Sequence, residues 1–300
     1  NVATILGEPV ADGSIFPTCL LSSFTRNHVK VALSGDGADE LFAGYPTHRL
    51  WRTGSLMARI PSPMRAAGIR VMNAMLPVSH DNLSFDFRLR KFVDGLDRDP
   101  IRQNQRWLGT FTAEELAALL VEPELAGQAE LEKLLHQPSH NASGLERILR
   151  TDQRFYMQDQ VLVKVDRASM AASLEVRVPF LDDEMVSFAR NLQADRKIRG
   201  GTSKWLLRRY ASRFFPESIW KRPKKGFGVP LGRWFRGELK SLVRDVLSAR
   251  FLASSGLFRP EAIERLLVEH EQGIRDHRKK IFNLLLFALW YEDARTWGRN

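Results

Sequence analysis

The stretch SGDGADELFAGY, residues 34–45, constrains the fold and the function of this chain more than any other segment. It follows directly on a short apolar run, residues 29–33, which predicts a β-strand. The carboxyl end of a strand is where open α/β sheets bind nucleotides. Gly35 and Gly37 let the backbone approach a ligand closely, and Ser34 supplies a hydroxyl group.

The same stretch also carries three carboxylates, Asp36, Asp39 and Glu40. An apolar helical stripe begins next, at Leu41, Phe42 and Tyr45. The acidic cluster is therefore predicted at a helix N-terminus, where backbone N–H groups point outward. This pattern predicts a site for a polar ligand with a metal ion, whereas a plain helix cap is the alternative explanation.

The length and the net charge of the chain limit its possible domain organisation and function but do not select one. With 300 residues the chain is long enough for a substantial core, in one large domain or two small ones. The formal net charge of +10 suits a nucleic acid, an anionic small molecule or an acidic partner domain. The basic residues are spread over many segments without interleaved aromatic residues, which argues against a nucleic-acid surface. The lone Cys19, which is predicted to be a small core residue, indicates a reducing compartment such as the cytoplasm.

Most of the remaining chain has helical character. A long helical pattern rich in ionisable residues runs from Leu145 to Ala172, and Thr112 with Glu115 predicts a capping box. The longest apolar run, Ile281 to Tyr291, is too short to cross a bilayer and predicts a buried helix. The chain begins with Asn1 and shows no signal segment, which indicates an internal fragment or a processed protein.

Two basic segments follow in the C-terminal third. Thr202 and Ser203 are predicted to cap a helix that presents Lys204 and ends before Pro216. A loop at residues 221–228 then combines four cations with two glycines, a composition that can close over phosphates as a lid. A solvated surface loop is the alternative for this second segment.

Four ordered motifs resemble the synthetase domain of the asparagine synthase family: residues 31–45, 162–182, 197–209 and 222–235. The resemblance spans nearly the whole chain. It implies an α/β fold, the distal part of an adenine-nucleotide alpha hydrolase-like (ATP pyrophosphatase) domain, with a parallel sheet and a predominantly helical remainder. Residues 1–300 would then form a partial synthetase domain.

Several features depart from the family pattern. The N-terminal glutaminase domain and the SGGxDS pyrophosphate loop of the family are absent from this sequence, so we expect the fragment alone to be incomplete. Position 36 is Asp where many members have Glu, which shortens its reach, and position 38 is Ala where Gly or Ser is usual.

The chemistry that the resemblance implies is conversion of aspartate to asparagine through a β-aspartyl adenylate, formed with ATP and Mg²⁺ and attacked by ammonia from glutamine. The residues matched to catalytic positions are Lys224, Asp36 and Glu175. Those matched to nucleotide binding are Ser34, Gly35, Lys204 and Lys225, and Asp39 is matched to the metal. An ion pair with Arg177 or Arg167 is the structural alternative for Glu175. The resemblance implies no membrane association and is compatible with a homodimer.

Three other functions remain open at this point. A related enzyme could form a different amide, as β-lactam synthetases, macrolactam cyclases and amidotransferases do. A nucleic-acid-binding relative of the ATP pyrophosphatases would account for the basic charge and predicts a steep loss of affinity with salt. A noncatalytic assembly domain would bind no ATP.

Overall fold

The computed structural model describes residues 2–76, 78–79, 84–126, 133, 142–222 and 226–297. The chain begins with helices α1 (Val2–Leu6) and α2 (Ile15–Arg26), and α2 leads through a short turn into strand β1 (Val31–Leu33). The predicted strand is therefore present, two residues shorter at its start. Strand β2 (Glu175–Arg177) lies beside β1 in parallel, with Ala32 opposite Val176. This parallel pair with its flanking helices confirms the predicted α/β class.

Helices fill the chain between the two paired strands. Helix α3 (Ala38–Phe42) is short, and α4 (Pro46–Met57) follows Tyr45, whose backbone is extended. The prediction that Tyr45 continues the stripe of Leu41 and Phe42 is wrong, because the chain turns at Ala43 and Gly44. Further helices follow at α5 (Ser62–Met75), α6 (Phe85–Asp94), α7 (Pro100–Leu108) and α8 (Ala113–Leu119). Helix α8 has the predicted capping box between Thr112 and Glu115.

The predicted long helix of residues 145–172 is observed as one continuous helical segment of changing pitch. It consists of α9 (Gly144–Thr151), a π-helix (Asp152–Leu162) and α10 (Val163–Met170). Such long π-helical stretches are rare, and π-helical turns often accompany functional sites. The apolar pattern gives no sign of this wider turn.

Short elements follow β2 and bring the second basic segment back to the sheet. They are α11 (Asp183–Asn191), α12 (Ala194–Lys197), a hairpin of β3 (Ile198–Arg199) and β4 (Thr202–Ser203), α13 (Trp205–Ala211) and α14 (Glu217–Trp220). The predicted cap by Thr202 and Ser203 is wrong: both residues pair with β3, and Lys204 precedes α13 instead. Helix α13 ends at Ala211, and Pro216 starts α14.

The main core lies around the last helix. The C-terminal elements are α15 (Leu231–Trp234), α16 (Lys240–Val246), α17 (Ala249–Ser255), α18 (Pro260–Glu271) and α19 (Arg278–Trp297). Helix α19 contributes the largest group of buried apolar side chains: Ile281, Phe282, Leu284, Leu285, Leu286 and Ala288. This confirms the predicted buried helix. Cys19 packs against this core, partly buried. Among the described residues, no helix is long and apolar enough to span a bilayer.

Candidate active site

The predicted nucleotide loop leaves the sheet at the carboxyl end of β1. The backbone N–H of Ser34 donates to the carbonyl of Arg177 at 2.9 Å, which extends the parallel pairing by one bond. The Ser34 hydroxyl then donates to Oδ2 of Asp36 at 2.6 Å. The structure therefore brings Ser34, Gly35 and Asp36 together in one turn, at the edge where parallel sheets bind ligands.

Gly37 directs the loop into helix α3. Its φ of 83° is left-handed, a conformation that glycine adopts without strain. A Cβ atom at this position would lie 2.5 Å from the side chain of Leu181, so no larger residue fits. The loop geometry thus depends on a glycine that the sequence identified, for reasons of both φ and space.

Asp39 lies in the first turn of α3 and forms an ion pair with Lys204. The distance between Asp39 Oδ1 and Lys204 Nζ is 2.8 Å, and both side chains are partly buried. Gly44 lies against this pair, since a Cβ atom there would overlap the Asp39 carboxylate and the Lys204 side chain. Two residues predicted for separate roles, metal binding and nucleotide binding, therefore contact each other.

Lys204 holds a left-handed backbone conformation, with φ of 52°. This conformation costs a non-glycine residue about 1–2 kcal/mol. It places the lysine at the start of α13, where its side chain reaches across to α3. The local strain is offset by packing and by the ion pair, and such strained residues often occur at functional sites.

Glu40 is buried directly behind the Asp39–Lys204 pair. The Tyr45 hydroxyl donates to Glu40 Oε1 at 2.6 Å, and the Tyr45 ring contacts the Tyr156 ring edge-on at 5.6 Å between centroids. Burial raises the pKa of Glu40 above its ordinary value, while the Tyr45 hydrogen bond opposes that shift. Burial also raises the pKa of Tyr45 and of Tyr156, so both phenols stay protonated and can donate.

A second buried network fixes the π-helix to α4. His48 Nε2 and Asp152 Oδ2 lie 2.8 Å apart, and both side chains are fully buried. Asn104 donates to the other carboxylate oxygen of Asp152 at 2.7 Å. Burial raises the pKa of Asp152, whereas the hydrogen bonds from His48 and Asn104 oppose that shift. A buried carboxylate with these partners holds three helices together behind the loop.

Glu175 lies at the start of β2, opposite Val31. Its carboxylate accepts from Arg177 Nε at 2.7 Å, and both side chains are exposed. The ion pair that the sequence offered as the structural alternative is therefore observed. The role of Glu175 in proton transfer stays a prediction.

Lys224 and Lys225 lie outside the described residues. The segments on either side are described, and α13 contacts the preceding one. Arg208 donates to the backbone carbonyls of Trp220 at 2.8 Å and Arg222 at 3.4 Å. Lys204 and the approach to the basic loop are thus both anchored on α13.

Magnesium is commonly bound by one or two carboxylates together with phosphate oxygens and water. Asp39 offers one carboxylate, held toward Lys204. Within the described ranges, no three acidic, histidine or cysteine side chains are grouped closely enough to hold a metal ion. The donor set at Asp39 therefore fits an ion shared with a bound phosphate and does not fit a closed protein cage.

Comparisons with known proteins identify the family of this chain. A family model described as asparagine synthase matches residues 1–292. The chain belongs to the asparagine synthase family. It is 29% identical over 289 residues to asparagine synthetase [glutamine-hydrolyzing] 1 of Bacillus subtilis strain 168, covering 95% of this chain and 44% of that protein. It is 32% identical over 297 residues to the "Putative asparagine synthetase [glutamine-hydrolyzing]" of Mycobacterium tuberculosis strain H37Rv, covering 97% of this chain and 43% of that protein.

A shorter match reaches the vertebrate members of the asparagine synthase family. The chain is 37% identical over 93 residues to the asparagine synthetase [glutamine-hydrolyzing] of Gallus gallus, or 30% of this chain and 16% of that protein. The chain spans less than half the length of the bacterial relatives described above.

Sequence reasoning missed the buried residues that support the site. His48 and Asp152 are partners 104 positions apart, and the ring of Tyr156 contacts the distant Tyr45, so no local motif reveals these contacts. Tyr45 lies in the predicted loop, but its hydrogen bond to Glu40, five positions away, was not predicted. Glu40 was noted only as one of three carboxylates. Its fully buried position beside Asp39 could not be read from helical periodicity, which spans too few residues in so short a helix.

Proposed function

We propose that the protein to which this chain belongs forms asparagine from aspartate, ATP and ammonia. The β-carboxylate of aspartate attacks the α-phosphorus of ATP, the bond to the bridging oxygen breaks, and pyrophosphate leaves. Ammonia then attacks the activated carbonyl, and AMP leaves. The relatives described above are named glutamine-hydrolysing, so we propose glutamine as the source of that ammonia, through a glutaminase domain.

One observation carries this proposal beyond family membership. The Ser34–Asp36 turn, the Gly37 bend and the Asp39–Lys204 pair all lie at the carboxyl end of a parallel strand. Negative charge accumulates on phosphate oxygens during adenylation, so the reaction needs cations placed where that charge develops. This edge offers hydroxyl and backbone contacts for a nucleotide, together with a positioned lysine.

The proposed roles divide among the residues at this edge. Ser34 and Gly35 contact the nucleotide, and Asp36 supports formation of the aspartyl adenylate. Asp39 would hold Mg²⁺, which would supply charge neutralisation at the nucleotide when bound. Lys204 binds phosphate beside it.

The remaining roles belong to the basic loop and to β2. Lys224 stabilises the adenylation transition state and the leaving pyrophosphate, with Lys225 as a supporting cation. Glu175 assists proton transfer from the attacking ammonia.

The test is pyrophosphate release by the full-length protein with ATP, ammonia and a panel of carboxylic acids. We expect release with aspartate, and a loss of about 100-fold in the Lys224→Ala variant. Lys221→Ala is the matched control, because Lys221 belongs to the same basic segment but forms an exposed ion pair with Glu217.

Two outcomes would overturn the proposal. Release with a different acid alone would indicate a related amide-forming enzyme. The absence of release with every acid would indicate a noncatalytic or nucleic-acid-binding domain.

A further inference from the structure

A cavity of about 160 Å³ lies beside the candidate active site. Its walls come from six parts of the chain: the segment before α2, helix α6, the end of α7 with the residues that follow it, the π-helix, the segment from residue 227 to the start of α15, and the first two turns of α19. The polar and charged side chains that line it include Asp12, Ser14, Tyr156, Gln160 and Lys279. Of these residues, Tyr156 alone belongs to the site described above, through its contact with Tyr45.

The topology places this cavity at the same sheet edge as the nucleotide loop. Helix α2 leads through a short turn into β1, so it runs back along the strand and its N-terminus lies toward the end of β1. Helix α10 leads into β2 in the same way and packs against α2. Asp12, just before α2, and Lys164, in the first turn of α10, lie 3.0 Å apart.

Two further contacts connect the cavity to the site. Tyr156, in the cavity wall, touches Tyr45, whose hydroxyl donates to Glu40 behind the Asp39–Lys204 pair. Phe227, which also lines the cavity, belongs to the basic loop that was predicted to close over phosphates.

The charged side chains in the cavity differ in whether they have an ion-pair partner, and Asp12 has one. Asp12 accepts from Lys164 Nζ at 3.0 Å and from the backbone N–H of Ser14 at 2.9 Å. Burial works to raise the pKa of Asp12, but the Lys164 charge and these hydrogen bonds together hold it below its ordinary value. The Asp12 carboxylate is therefore ionised and already matched by Lys164.

Lys279 is a cation in the cavity wall that has no ion-pair partner among the described residues. Its side chain is exposed on the cavity wall and makes no hydrogen bond or ion pair with any residue in the described ranges. The neighbouring cations differ: Lys280 pairs with Glu115, and Arg278 pairs with Asp276.

We propose that this cavity holds the acceptor amino acid, and that Lys279 binds the carboxylate that does not react. This inference rests on the proposed function and names the substrate class of the same site. The volume suits a compact ligand, because pockets for drug-sized molecules start at about 300 Å³. An acceptor seated here has one carboxylate on Lys279 and presents the other toward the nucleotide edge.

The experiment compares two acceptors in the full-length protein. L-aspartate carries both carboxylates, whereas its α-amide keeps the reacting carboxylate and loses the other. We expect the KM of the wild-type protein to be about tenfold or more lower for aspartate than for the α-amide, since charge-assisted hydrogen bonds are the strong ones. Lys279→Gln should raise the KM for aspartate to that of the α-amide, without changing the KM for ATP.

Lys280→Gln is the matched control, because it removes a cation from the same helical turn that is already paired with Glu115. This variant should keep the wild-type preference for aspartate. A Lys279→Gln variant that also keeps this preference would overturn the inference while leaving the proposed function intact.

Calorimetric titration of aspartate into the same three proteins, with a nonhydrolysable ATP analogue present, needs no turnover. Binding that is lost in Lys279→Gln alone supports the cavity assignment, even if pyrophosphate release fails and the proposed function falls. Absence of aspartate binding to the wild-type protein, or equal binding to all three, would overturn the assignment.

Discussion

Asp39 and Lys204 are joined by a 2.8 Å ion pair that connects helix α3 to the residue preceding α13. The pair brings together two of the four sequence motifs at the end of β1. A carboxylate and a lysine in contact can share one phosphate group, the carboxylate through a metal ion and the lysine directly. This arrangement gives the first prediction.

Asp39→Asn should lower kcat/KM for ATP-dependent turnover by about 100-fold, because it removes the negative charge that we propose holds the metal. The free energy of unfolding should fall by only about 1 kcal/mol, the scale of a partly exposed ion pair. Steady-state kinetics and urea unfolding of the same preparation measure both effects. A loss of stability without a loss of turnover would assign the pair a purely structural role.

Gly44→Ala should disrupt the same pair from the backbone side. The added methyl group would overlap the Asp39 carboxylate and the Lys204 side chain, and overpacking of this kind costs about 1–3 kcal/mol. Gly68→Ala is the control, because its new Cβ meets no atom within 4 Å and α5 gains a better helix former. Thermal unfolding should therefore show a lower Tm than wild type for Gly44→Ala and a higher Tm for Gly68→Ala.

Glu40 should make stability depend on pH. Its pKa is raised in the folded state, so its contribution is complete below the unfolded value of 4.5 and is lost as the pH rises through the folded value. Glu40→Gln cannot ionise and can still accept from Tyr45. Chemical unfolding from pH 4 to pH 8 should show the variant gaining stability relative to the wild-type protein as the pH increases. Parallel curves for the two proteins would contradict the buried-acid assignment.

Lys91 should have the opposite dependence in alkaline solution. Desolvation lowers its pKa to about 8 from the ordinary lysine value of 10.5, and its Nζ donates to the carbonyl of Gly109. Its contribution is present at high pH and is lost as the pH falls through about 8. Relative to Lys91→Met, the wild-type protein should gain up to about 1 kcal/mol per pH unit above pH 8. An unchanged difference between the two proteins would show that Lys91 remains solvated.

The local features of the fold could be predicted from the sequence, and the distant contacts could not. The capping box at Thr112 and the apolar run at Ile281 involve neighbours within one or two turns, so periodicity and capping chemistry suffice. Thr202 and Ser203 show where that reasoning fails. They have the chemistry of a helix cap, but pairing with β3 satisfies their backbone and moves the helix start past Lys204.

The candidate site also contains residues that could be predicted from the sequence and residues that could not. Ser34, Gly35, Asp36 and Asp39 are neighbours in one loop, so a motif reveals them. The supporting pair of His48 and Asp152 joins residues separated by 104 positions. The two buried networks behind the loop also depend on a π-helix that the hydrophobic pattern does not predict. Tertiary packing decides these contacts.

The most direct test of the central claim, adenylation of an acceptor carboxylate, is an isotope-transfer measurement. The full-length protein would be incubated with ATP, ammonia and aspartate labelled with ¹⁸O in the β-carboxylate, and the AMP analysed by mass spectrometry. We expect one ¹⁸O atom in each AMP formed, because the carboxylate oxygen that attacks phosphorus stays with the phosphate. Asparagine formed together with unlabelled AMP would contradict it.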